Sequence, residues 1–97
     1  MFGQRRGGID PGENRQNYYV TESVGIACGI LLTALHKAGL ATLTHTPSPM
    51  RFLRQLCGRP ASEKSIMIIV AGLPAAGAKI PLHATRKKSL VQISSWL

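Results

Sequence analysis

The chain has 97 residues, with twelve Lys and Arg against four Asp and Glu, a formal net charge of +8 and two cysteines. That length allows one small domain, which buries a smaller share of its surface than a longer chain would. Cys28 and Cys57 lie in no C-x-x-C pair and no Cys/His cluster of zinc-like spacing, so a disulfide framework and a metal site are both set aside.

Taken in chain order, residues 1–17 are polar and glycine-rich. They read as a lead-in loop after the stub of a strand, with Asp10-Pro11-Gly12 as a turn. No apolar stretch of a secretory signal occurs in residues 1–20. Together with the sparse cysteines, this sets a cytoplasmic expectation.

The run Ser23 to Leu35 predicts an apolar helix, capped by Thr21 and stopped by Gly39 in the left-handed region. About 13 residues fall short of the roughly 20 that span a bilayer, so a buried core helix is expected. Val24, Ala27, Leu31 and Leu35 form one stripe, Ile26, Ile30 and Thr33 another, and Gly25 with Gly29 a smooth strip. A helix apolar nearly all round is expected to be buried nearly all round.

Leu40 to Thr44 predicts a short strand, and His45 to Pro49 a proline-stiffened loop. Met50 to Cys57 predicts a short amphipathic helix, with Phe52, Leu53 and Leu56 opposite Arg51, Arg54 and Gln55. Gly58-Arg59-Pro60 ends it, and Ala61 to Lys64 reads as a turn. Ser65 to Gly72 is a continuous apolar run, expected to be one strand buried on both faces. Both cysteines are expected to behave as small buried apolar residues. Residues 72–81 form a loop, and 82–97 a basic segment ending in a short helix or extended tail. The elements divide the chain into 1–17, 18–81 and 82–97. One all-round apolar helix and one doubly buried strand need more cover than the other elements supply, so a larger parent fold or a tight oligomer is implied.

Chemistry-bearing motifs are few. There is no G-x-G-x-x-G, P-loop or H-E-x-x-H, and Asp10 is the only aspartate. The loop Thr44-His45-Thr46-Pro47-Ser48-Pro49 offers three hydroxyls and an imidazole after a strand, fit either for a polar ligand edge or for local turn bonding. Arg86-Lys87-Lys88 fits a phosphate grip or a solvated charge run, and spacing alone favours the second. Apart from the pair Arg5-Arg6, the remaining positive charge is scattered, and no aromatic residues interleave with it. A module for nucleic acid or anionic membranes is therefore the least supported function, and neither is expected as a partner.

Four patches together carry a resemblance: Asn17 to Gly29, Ala34 to Leu40, Thr42 to Met50, and Gly58-Arg59-Pro60. In this order they closely resemble the C-terminal part of the FMN-dependent nitroreductase family, nearest its iodotyrosine deiodinase-like branch. The resemblance covers residues 2–81 and returns weakly at 86–93. It implies an α+β fold with a mixed central sheet, a homodimer, and FMN at the dimer interface. By the same resemblance Thr44, His45 and Thr46 border the flavin ring, with the Thr46 hydroxyl near N5. Arg86 or Lys87 matches the family's phosphate contact. The family's N-terminal phosphate-binding segment and helical lid have no counterpart here. No acid follows Pro81, and Val91 stands where an acid is common.

The resemblance thus implies an FMN-dependent oxidoreductase, or part of one, reducing nitro, quinone or halogenated aromatic acceptors with electrons from NAD(P)H or another donor. The alternative is a non-catalytic remnant or partner subunit that needs a complementary chain.

Overall fold

The computed structural model describes residues 1–97. Its longest element is helix α1, Val20–Lys37. Its C-terminal end is a Schellman closure. Gly39 takes φ +80°, its N–H donates to the His36 carbonyl, and the Leu40 N–H donates to the Leu35 carbonyl. The expected N-terminus is corrected. The helix starts at Val20 with Tyr19 at the cap and no side-chain capping bond, so Thr21 lies inside the first turn. Glu22 in that turn and His36 and Lys37 in the last one suit the helix dipole.

Two antiparallel ladders lie along one side of α1. Strand β1, Phe2–Gln4, pairs with β3, Glu63–Ser65. Strand β2, Ala41–His45, pairs with β4, Ile68–Gly72. The apolar run that reads as one strand is therefore two, and Glu63 and Lys64 belong to a strand instead of a turn. The chain changes partners at Ile66 and Met67, whose N–H groups both approach the Met1 carbonyl, while the Met1 amino group donates to the Met67 carbonyl at 2.6 Å. Strand pairing is purely antiparallel, in two separate two-stranded sheets. The structure is thus a small mixture of helix and sheet, consistent with an α+β class, and shows no mixed central sheet.

Between β1 and α1, residues 5–17 fold back on themselves. Arg6 and Gln16 form a bridge, and the Asn17 N–H donates to the Arg5 carbonyl. The turn at Asp10 to Glu13 has Pro11 and then Gly12 at φ +88°, the pattern of a type II turn. Helix α2, Arg51–Leu56, closes at Gly58, which takes φ +59° as its N–H donates to the Gln55 carbonyl. A 3-10 turn, Leu82–Thr85, and helix α3, Leu90–Ile93, finish the chain. At the start of α3 the Ser89 N–H donates to Gln92 Oε1 at 2.9 Å.

Helix α1 packs on β1 and β2 and thereby joins the two ladders. Its inward residues are Val20, Val24, Cys28, Leu32 and Leu35, so the inner face runs through Cys28 and Leu32 instead of Ala27 and Leu31. Cys28 is the only apolar side chain in the fully buried core, at 2% exposure. Ile26 and Ile30 are each 67% exposed. Phe52 and Leu56 of α2 also face solvent, leaving Leu53 as its inward residue. Cys57 is exposed, contrary to its expected burial, because it caps the outer end of this short helix.

The accessible surface is 8413 Å². A compact monomer of 10.4 kDa would expose about 5,400 Å². The radius of gyration is 17.3 Å, against about 12.5 Å for a compact chain of this length. The expectation of an all-round buried helix fails within this chain for want of covering elements, and the need for additional cover stands.

Glycine substitutions separate the covered face from the open one. A Cβ on buried Gly3 overlaps the Val20 side chain, whereas one on Gly25 or Gly29 meets nothing within 4 Å. Gly3→Val is expected to lower stability by about 1–3 kcal/mol through overpacking. Gly25→Ala is expected to raise it by up to about 1 kcal/mol through helix propensity. Urea midpoints followed by circular dichroism check both signs.

Candidate functional site

The hydroxyl-rich loop begins inside β2. Thr44 pairs with Ile69 and His45 with Ile68, and Thr46 is the first residue beyond the strand. Strand alternation sends Thr42 and Thr44 to one face and Leu43 and His45 to the other. One planar ligand can therefore meet the side chain of Thr44 or of His45, and the backbone of the other. All three residues are exposed, and neither threonine hydroxyl forms a hydrogen bond within the chain. The turn-bonding alternative therefore has no support from their side chains. Pro47 follows, and the Ser48–Pro49 peptide is cis.

Arg86 directly follows the 3-10 turn, and its N–H donates to the His83 carbonyl. Arg86 and Lys87 are both exposed, and the segment 82–97 forms no substantial packing with β2 or any other element. Within this chain the two expected halves of a flavin site, Thr44 to Thr46 and Arg86 with Lys87, are not drawn together by a hydrogen bond or an ion pair. No cluster of three or more His, Cys, Asp or Glu side chains is present, and no helix is long and apolar enough to cross a membrane.

Basic residues that are scattered along the sequence are in part gathered by the fold. A cleft of about 460 Å³ between β1, α2 and β3 is lined by Arg5, Arg51, Arg54 and Lys64, with Glu63 and the buried Ser65. Only the i, i+3 spacing of Arg51 and Arg54 signalled this in the sequence, since the other two cations arrive from distant segments. Glu63 is held by Arg59, whose Nε donates to Oε2 at 2.8 Å while Nη2 donates to Oε1. That hydrogen-bonded pairing keeps the Glu63 carboxyl below its ordinary range, and burial opposes the shift.

No family model matches the chain. It is 51% identical over 85 residues to an iodotyrosine deiodinase of Haliscomenobacter hydrossis, covering 88% of this chain and 38% of that protein. It is 46% identical over 84 residues to an iodotyrosine deiodinase of Danio rerio, covering 84% of this chain and 28% of that protein. With iodotyrosine deiodinase 1 of Homo sapiens, 45% identity extends over 96 residues, 96% of this chain and 32% of that protein. The chain is a homologue of the iodotyrosine deiodinases. These belong to the FMN-dependent nitroreductase superfamily, so the resemblance carried by residues 17–60 is upheld. The chain spans about a third of the length of these relatives.

The Arg59–Glu63 pair predicts a pH dependence with a definite sign. The folded pKa of Glu63 lies below its unfolded value. The pair's contribution is therefore complete above the unfolded value and is lost as pH falls through the lowered folded one. In a carboxyl NMR titration, Glu63 is expected to titrate below the other glutamates. Arg59→Gln is expected to return it to the ordinary glutamate range.

Proposed function

We propose that this chain forms the flavin-loop part of an FMN-dependent oxidoreductase that reductively removes halide from an iodotyrosine-like aromatic. The observation that carries this reading is the identity of 42–51% with iodotyrosine deiodinases, together with a Thr44-His45-Thr46 loop whose hydroxyls are free to bond a ligand. The donor set suits the cofactor. Thr44 and Thr46 offer hydroxyls and backbone groups to a polar ring edge, and Arg86 or Lys87 offers a cation to a phosphate. When bound, FMN supplies hydride or single electrons to the acceptor. Thr46 would offer its hydroxyl as a donor to the redox-active edge of the bound flavin and so tune its chemistry. Thr44 and His45 would help orient the ring edge, one by its side chain and one by its backbone. The electron donor is NAD(P)H or an equivalent reductant.

The surface of 8413 Å² supports a second element of the proposal. Its excess of about 3,000 Å² over a compact monomer is more than the roughly 1,000–2,500 Å² that each partner contributes to an obligate interface of about 2,000–5,000 Å² in total. The site is then completed by a second copy or by a complementary chain, as in a homodimer. Without such a partner, the same surface favours a non-catalytic subunit.

Visible absorbance of the purified chain, mixed with FMN and passed through a desalting column, tests the cofactor assignment. A retained flavin spectrum is the expected result, and a colourless protein refutes flavin binding by this chain alone. In the flavin-loaded protein, Thr46→Ala is expected to retain FMN and lower the rate of iodotyrosine reduction about tenfold, the worth of one hydrogen bond of about 1–1.5 kcal/mol. A steady-state assay with a chemical reductant measures it.

A further inference from the structure

We propose that the basic cleft between β1, α2 and β3 binds a diphosphate group. This assignment is independent of the flavin loop and uses none of its residues. Four basic residues from three separate segments border the cleft: Arg5 beyond β1, Arg51 and Arg54 on α2, and Lys64, whose side chain leaves β3 on the face of Gly3 and α1, opposite Glu63 and Ser65. The only acid in the lining is Glu63, and both its carboxylate oxygens are occupied by Arg59. The cleft and its rim therefore carry like charges with no free counter-charge, and an anion relieves their mutual repulsion.

The walls are pinned by short bonds. The Arg5 N–H donates to the Ser62 carbonyl at 2.7 Å, fixing the end of β1 beside β3. Ser65 Oγ donates to the Met50 carbonyl at 2.9 Å, fixing the start of α2 against the same strand. Lys64 is paired in register with Gly3. The cations thus hang from a fixed frame, and guanidinium groups can grip phosphate oxygens through two parallel bonds.

A diphosphate fits better than a single phosphate because the positive surface continues. A second cleft, of about 370 Å³, shares Arg5 and Lys64 with the first and adds Arg6 and the side of Tyr18. Arg5 and Lys64 lie between the two, where a bridging pair of phosphoryl groups would meet cations on both sides.

Isothermal titration of the full chain with inorganic pyrophosphate, orthophosphate and sulfate at low ionic strength tests the proposal. Pyrophosphate is expected to bind one to one, about tenfold more tightly than sulfate, with amide shifts centred on Lys64 and Ser65. Arg54→Gln and Lys64→Gln alter exposed side chains, so unchanged far-ultraviolet dichroism is expected to show that both fold. Each is expected to weaken pyrophosphate about tenfold, while Lys79→Gln, in a remote loop, leaves it unchanged. Equal affinity for pyrophosphate and sulfate overturns the proposal, as does equal weakening by Lys79→Gln. It also fails if a mixed-sequence single-stranded RNA displaces pyrophosphate with affinity rising with its length, because the surface then serves nucleic acid.

Discussion

Helix α1 imposes the constraint on which the rest of the structure depends. It carries apolar residues around most of its circumference, and this chain covers only one side of it. β1 and β2 approach the face through Val20, Val24, Cys28 and Leu32, leaving Ile26 and Ile30 in solvent. Burying an aliphatic side chain of this size contributes about 1.5–3 kcal/mol. Leaving Ile26 and Ile30 in solvent, with Leu31 partly exposed, therefore forgoes several kcal/mol, a large share of the stability of a small domain. The open Gly25 and Gly29 positions lie in the same helix, where another backbone could approach without meeting a Cβ.

The second organising feature is the exchange of partners at Ile66 and Met67. A single apolar run serves two ladders, one holding the N-terminal strand and the other holding β2. This exchange sets where both candidate sites lie. The β2–β4 ladder supports Thr44 and His45 and ends where the proline-stiffened loop begins. The β1–β3 ladder brings Arg5 and Lys64 to one side of α2. One connection thus positions a neutral hydroxyl loop and a basic cleft on different sheets.

The two sites differ in what they need from the remainder of an assembly. The cleft is built from β1, α2 and β3, all of this chain, and is pinned by backbone bonds. The hydroxyl loop offers donors on an exposed strand end, while Arg86 and Lys87 stand in a segment with little packing of its own. A closed ligand site needs concave walls that exclude water from most of the ligand surface. Under the proposed function such walls would come from additional protein, and the surface in excess of a compact monomer is large enough to accommodate it.

Sequence alone determined the features whose physics is local. Gly39 and Gly58 stop their helices because each takes a positive φ that closes the last carbonyls. Pro11 and Gly12 fix a turn, and β-branched alternation marks β2. The prolines at 47 and 49 mark where that strand gives way to a loop. Tertiary structure alone decided the inward face of α1, since a helix apolar all round contains no pattern that selects one side. It also divided residues 63–72 between two ladders, because a run of apolar residues does not specify which strand each end will meet. The basic cleft was invisible for a related reason: Arg5, Arg54 and Lys64 are distant in sequence, and only β1–β3 pairing and the Ser65–Met50 bond make them neighbours.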